Sequence, residues 1–245
     1  MIILGIESSC DETAVSICKG GKILSNIVSS QQIHNDYGGV VPEVAAREHD
    51  RLLNHLIIKS LDEANISLND LNGIGVTKGP GLAGTLLTGV SFAKGLSQSI
   101  NIPIIGINHL EAHIYANFLA YPKLKYPLVC LLVSGGHTQI WYIKNIFDYE
   151  LLGDTRDDAA GEAFDKGARV LGLGYPGGPI IEKISLKGSS NAINFPRALM
   201  EKDNLEFSFS GLKTSLLYLV TVSYTHLRAH ETLRYLVCRL LREKK

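Results

Sequence analysis

The chain has 245 residues, 45% of them hydrophobic and 20% charged, a balance that supports one large or two moderate globular domains and excludes intrinsic disorder. Lys plus Arg and Asp plus Glu number 24 each, so net charge advertises no nucleic-acid or membrane partner, and any RNA contact has to come from a local patch. The longest apolar runs, such as residues 127–133, are strand-sized, well below the ~20 residues of a membrane span. Cys10, Cys18, Cys130 and Cys238 lack CxxC spacing, and the MIILGIESS start is too short and acidic for a signal peptide, so a reducing cytoplasm is expected.

Three strands are predicted at residues 2–6, 14–18 and 22–28, the last two joined by a hairpin turn at Gly20-Gly21. A polar turn, residues 7–12, follows the first. After Pro42, Leu52, Leu53, Leu56, Ile57 and Leu61 fall at helical spacing, predicting a helix to about Ala64. A strand at 73–77 runs into the glycine-rich segment 79–84 and a helix through Lys94. A strand at 104–107 then leads into a helix starting near Asn108, with Glu111 placed as in a capping box. The same plan restarts with a strand at 128–133, a polar turn at 134–136, strands at 139–143 and about 149–152, and a helix at 160–171. This repeated strand-turn-strand-strand-helix order predicts an α/β fold of two duplicated halves around a cleft, with residues 121–127 as the linker.

His109 and His113 are four residues apart on a predicted helix, so both imidazoles lie on one face, as a shared metal ion requires. The bland alternative is a pair of surface histidines. Glu111 is not in the position of a zincin general base, which weakens a metalloprotease reading. The glycine-rich segments 79–84, 134–136 and 172–178 could bring backbone N–H groups against a phosphate, or could be tight turns. None is a Walker A loop or a dinucleotide fingerprint. Asp154, Asp157, Asp158, Glu162 and Asp165 form an acidic stretch; it suits a helix N-terminus, or places Asp165 to accept ribose hydroxyls. Glu7, Asp11 and Glu12 sit at a strand-end turn, and residues 207–214, FSFSGLKT, read as a strand-to-helix junction.

Together LGIESSCDETAV (4–15), YGGVVPEVAAREH (37–49), GPGLAGTLLTG (79–89), NHLEAH (108–113), LVSGGHTQ (132–139), DDAAGEAFDKGARVLGLGYPGGP (157–179) and FSFSGLKT (207–214) closely resemble the TsaD family of tRNA N6-adenosine threonylcarbamoyltransferases. The resemblance implies the duplicated actin-like, Hsp70 and sugar-kinase fold. It implies transfer of a threonylcarbamoyl group from threonylcarbamoyl-AMP to N6 of adenosine 37 in tRNAs reading codons that begin with adenine, with release of AMP. Carried over by position, His109 and His113 would hold a divalent metal, Fe2+ or Zn2+. Leu132, Val133, Ser134, Gly135, Gly136, Asp165 and Gly178 would bind the adenylate, and Glu12 is the candidate general base. Where the family often has an Asp four residues after the glycine matching Gly178, this chain has Glu182. Implied partners are tRNA and the TsaB and TsaE proteins, in the cytoplasm and without a membrane.

Family members continue further, with an Asn that contacts the nucleotide and an Asp that is the third metal ligand. On that resemblance the chain divides into a first actin-like subdomain at 1–124, an incomplete second one at 125–222 and a non-native tail at 223–245. The tail, SYTHLRAHETLRYLVCRLLREKK, departs from the family and reads as foreign, although Leu233, Leu236, Val237, Leu240 and Leu241 also fit a basic amphipathic helix. A truncated chain is expected to bind metal weakly and to lack transferase activity. The competing readings are a small-molecule kinase of the same fold, which the histidine pair disfavours, and a noncatalytic scaffold.

Overall fold

The computed structural model describes residues 1–227, with side chains to residue 222, and the expectations for the tail lie outside the described residues apart from the backbone of one helix end. The chain divides into two compact units, Met1–Leu124 and Lys125–Lys245.

The first unit is a five-stranded sheet flanked by helices. Strands β1 (Ile2–Glu7), β2 (Glu12–Lys19) and β3 (Lys22–Ser30) form an antiparallel meander, whose tight turn has Gly20 and Gly21 at φ 56° and 80°, the left-handed values a two-residue hairpin needs. Helix α1 (Pro42–Ala64) begins with proline at its first turn and stops at Asn65, left-handed at φ 53°. Strand β4 (Gly73–Gly79) pairs parallel to β1; buried from Gly73 to Thr77, it is the apolar run of a central strand rather than an alternating one. Helix α2 (Ala83–Ile100) leads to β5 (Ile104–Asn108), parallel to β4, and to α3 (His109–Ala120). The sheet order is β3-β2-β1-β4-β5. Its core joins Leu4, Ile6, Val15, Ile17 and Ile74 of the sheet to Leu53, Leu56, Ile57 and Leu61, the helical stripe read from the sequence.

The second unit repeats the opening meander. Strands β6 (Leu128–Val133), β7 (Thr138–Asn145) and β8 (Asp148–Asp154) form an antiparallel sheet in that order, followed by α4 (Ala160–Val170), α5 (Gly177–Ser185) and α6 (Ser210–Leu227). The α/β class and the repeated plan therefore hold. Several boundaries move: β3 continues to Ser30, β8 spans more than 149–152, and α2 runs past Lys94 until Asn101, at φ 52°, ends it. The glycine-rich stretch 172–178 is only partly a loop, because Gly177 and Gly178 begin α5. Among the described residues no helix is long and apolar enough to cross a membrane.

One buried group ties this fold to pH. His49 of α1 is fully buried, with Nδ1 2.8 Å from Thr13 Oγ1 and Nε2 2.9 Å from the Cys10 carbonyl. A carbonyl only accepts, so Nε2–H donates to it and Nδ1 accepts from the Thr13 hydroxyl, which defines a neutral ring. Burial, the largest influence, pushes the His49 pKa below its ordinary value. Below ~6.5 the unfolded chain then binds a proton that folded His49 refuses, so stability falls with falling pH by at most ~1.4 kcal/mol per unit. The His49→Gln variant takes up no proton there. Urea unfolding at neutral and mildly acidic pH is expected to show a smaller loss for the variant, and equal losses would refute the assignment.

Candidate functional site

The histidine pair is built by the junction of β5 and α3. Asn108, the last residue of β5, caps α3 by accepting the N–H groups of Leu110 and Glu111 at 2.9 and 3.3 Å. That cap sets His109 and His113 one turn apart on the first turns of α3, and their Nε2 atoms approach to 3.1 Å. The rings meet edge to face, with centroids 4.5 Å apart.

The strand-end turn of β1 reaches the same place. Glu7 Oε2 lies 3.1 Å from His109 Nδ1 and accepts from the Thr77 hydroxyl of β4 at 2.6 Å, while Glu7 Oε1 accepts the Ser9 N–H. Ser9 Oγ also lies 3.3 Å from His109 Nδ1. Burial by itself would raise the Glu7 carboxyl; hydrogen bonds from His109, Ser9 and Thr77 outweigh it and hold the pKa at about 2, so Glu7 is ionised at neutral pH. Cys10 lies in the same turn, but desolvation and the Asp11 carboxylate push its thiol up to about 12, which removes it as a nucleophile. Among the described residues no group of three or more His, Cys, Asp or Glu side chains is arranged to hold a metal ion.

The glycine-rich segment between β4 and α2 has a packing explanation. A Cβ on Gly81 would lie 2.6 Å from the Ser9 carbonyl oxygen, and Leu82 N–H donates to that oxygen at 2.8 Å. Gly89 similarly leaves room for the Ser8 side chain, which donates to the Thr85 carbonyl. These glycines let the β4–α2 connection close on the turn that carries Glu7.

In the second unit, the residues expected to hold the adenylate lie on the end of β6 and the turn after it, on α4 and at the start of α5. The β6–β7 turn closes through Ser134 N–H to the His137 carbonyl at 2.8 Å, and Ser134 Oγ accepts the His137 N–H. Leu132 before it is buried and Val133 exposed. The start of α4 lies directly against this turn, where a Cβ on Gly161 would meet Gly135 Cα at 2.7 Å and the Ser134 oxygen at 2.8 Å. One helical turn on, Asp165 Oδ1 accepts the Gly177 N–H at 2.7 Å and so anchors the start of α5, where Gly178 lies. Asp165 thus serves a helix cap, a role the sequence reading did not anticipate. Gly135, Gly136 and Gly178 are different from Gly161. None has positive φ, and a Cβ on any of them would have no heavy atom within 4 Å. Neither packing nor backbone conformation of the free chain asks for glycine there.

Glu12 opens β2 as an exposed carboxylate accepting from the Ser30 hydroxyl at 2.9 Å. Its surroundings are those of a surface residue. Two carboxylates of the acidic stretch, Asp157 and Asp158, have partners that the sequence did not indicate. Asp157 accepts the hydroxyls of Ser208 and Ser210 and the N–H groups of Phe209 and Ser210, which holds its pKa well below the carboxylate range against desolvation. Asp158 pairs with Lys166 at 2.6 Å and Lys213 at 2.7 Å. Both tie residues 157–166 to residues 208–213, so two of the sequence motifs are halves of one polar cluster.

A family model described as TsaD, tRNA N6-adenosine threonylcarbamoyltransferase, matches residues 22–241. The protein of that name from Thermosipho melanesiensis is 59% identical over 221 residues, covering 90% of this chain and 68% of the relative. The one from Clostridium botulinum is 56% identical over 217 residues, covering 88% and 64%. The chain thus spans about two thirds of the length of the curated relatives it matches. Full-length HypF, solved in its phosphate- and nucleotide-bound form, superposes on 94% of this chain and 42% of its own with a TM-score of 0.52 at 11% identity. That likeness concerns the fold alone and agrees with the actin-like expectation. These relatives favour neither the kinase nor the scaffold reading.

Proposed function

The chain belongs to the TsaD family of tRNA N6-adenosine threonylcarbamoyltransferases, acyltransferases that modify tRNA, and from that membership we propose that its second unit holds the adenylate of threonylcarbamoyl-AMP while the histidine pair of its first unit holds a divalent metal. The observation that carries the adenylate reading is the set of glycines at 135, 136 and 178, which the fold does not require and beside which the space a Cβ would occupy is open to a ligand. Residues 132–136 would face the phosphate and acyl portions, and Asp165 the ribose. In the transfer, the N6 nitrogen of the tRNA adenosine attacks the carbamoyl carbon, the new C–N bond forms, the bond from that carbon to the phosphate oxygen breaks, and AMP leaves with the electron pair. The amine's proton goes to a base, for which Glu12 is the candidate.

The donor set of the first unit fits a metal ion. Two imidazole Nε2 atoms converge at 3.1 Å, close to the roughly 3.3 Å that neighbouring ligands subtend at a tetrahedral centre with bonds of about 2.0 Å. When bound there, Fe2+ or Zn2+ would supply Lewis-acid polarisation. The partners on this reading are tRNA, TsaB and TsaE, in the cytoplasm.

Calorimetry with AMP tests the adenylate assignment. Asp165→Asn keeps an oxygen for the Gly177 N–H but loses the charge. It is expected to lower AMP affinity about tenfold or more, from a charge-assisted hydrogen bond of ~1.5–3 kcal/mol, with little change in the unfolding midpoint. Asp165→Ala should lose affinity and stability together. Unchanged AMP affinity in both variants removes Asp165 from the site. Transfer of labelled threonylcarbamoyl from its adenylate to unmodified tRNA tests the reaction itself: a chain extended to the relatives' full length is expected to carry it out, and His109→Ala in that longer chain to abolish it.

A further inference from the structure

The carboxylate of Glu7 and the imidazoles of His109 and His113 are joined in sequence by polar contacts of 3.1 Å each. Glu7 ends β1, Thr77 that steadies it belongs to β4, and His109 opens α3. An ionised carboxylate only accepts. With Oε2 3.1 Å from Nδ1 of His109, a lone pair on Nδ1 would face a negative oxygen, so Nδ1 carries the hydrogen and donates. The proton's place on one ring nitrogen decides the other. Nε2 of His109 is then an acceptor, directed at Nε2 of His113 at 3.1 Å. Two lone pairs cannot face each other at that distance without a proton or a cation between them.

We propose that Glu7 is the positioning residue of the histidine pair: it holds His109 in the Nδ1–H form, so that Nε2 is the atom offered to a cation. This rests on the metal reading given above, but its first consequence belongs to the metal-free protein. The carboxylate is well placed for such work because the Thr77 hydroxyl at 2.6 Å and the Ser9 N–H fix both of its oxygens. A carboxylate behind a ligating histidine also raises that ring's basicity and fixes its orientation, and its loss costs ~10–100-fold in metal affinity.

The test uses the full chain with 15N-labelled histidine. Long-range 15N–1H spectra of the metal-free wild type are expected to show His109 protonated at Nδ1, and Glu7→Ala to shift it to the Nε2–H form or a mixture. Chelator competition with Zn2+ alone should show affinity falling ~10–100-fold in Glu7→Ala and less in the nearly isosteric Glu7→Gln, which keeps one acceptor oxygen. Glu7→Gln also serves if the alanine variant does not fold. His113→Ala should lose Zn2+ binding while leaving the His109 tautomer unchanged, a split that a merely structural Glu7 would not predict. An Nε2–H His109 in the wild type overturns the proposal, as does a tautomer indifferent to both Glu7 variants. If instead the wild type binds Zn2+ no better than His109→Ala, the metal reading fails while the tautomer measurement still decides the role of Glu7.

Discussion

Replacing Gly153 with alanine is expected to destabilise the second unit by about 3 kcal/mol, at the upper end of what overpacking costs. Gly153 is buried in β8, and a Cβ there would lie 2.0 Å from the Leu205 carbonyl oxygen and 2.7 Å from its carbon. Those atoms are backbone and cannot swing aside as a side-chain tip would. The segment they belong to runs along β8 as a strap: Phe207 N–H donates to the Asp154 carbonyl at 3.0 Å, Arg156 N–H donates to the Phe207 carbonyl at 2.9 Å, and Arg156 pairs with Glu206. Displacing Leu205 therefore loosens the whole strap and, through Asp157, the start of α6. The only tryptophan of the chain, Trp141 on β7, reports on this unit. Urea unfolding followed by its fluorescence should show the loss, and a shift under about 1 kcal/mol would mean that the strap yields without cost.

Local periodicity and turn chemistry made much of this molecule legible. Alternation and the Gly20-Gly21 pair identified the opening hairpin, and the leucine stripe of α1 coincides with the side of the core it fills. The spacing of His109 and His113 sufficed to place them together, because four residues is one helical turn. What escaped was nonlocal. Glu7 meets His109 across 102 residues of sequence and Asp157 meets Ser210 across 53, and no pattern within either segment encodes the partner. The start of α5 was hidden for another reason: two glycines and two prolines at 176–179 read as a loop, whereas a proline in the first turn suits a helix start. Glycine is the most ambiguous letter here, since Gly81 and Gly161 are demanded by neighbouring backbone while Gly135 and Gly178 are not.

That ambiguity yields the sharpest expectation for the site, because the same substitution at the two kinds of glycine should differ in its effect on stability. Gly161→Ala puts a methyl 2.7 Å from Gly135 Cα, 2.8 Å from the Ser134 oxygen and 3.0 Å from Gly135 N. The turn or the start of α4 must move, at a cost of ~2–3 kcal/mol, and AMP binding should be lost with the displaced turn. Gly178→Ala meets nothing within 4 Å and lies in the first turn of α5. Alanine there favours the helix by up to ~1 kcal/mol, so the unfolding midpoint should stay or rise. If a nucleotide packs against that backbone, the same methyl occupies the ligand's space, and AMP affinity should fall by about tenfold, equivalent to ~1.4 kcal/mol. A variant that is as stable or more so yet binds less separates ligand contact from fold. Wild-type AMP affinity in Gly178→Ala would remove α5 from the adenylate site and leave the glycines at 135 and 136 as its remaining support.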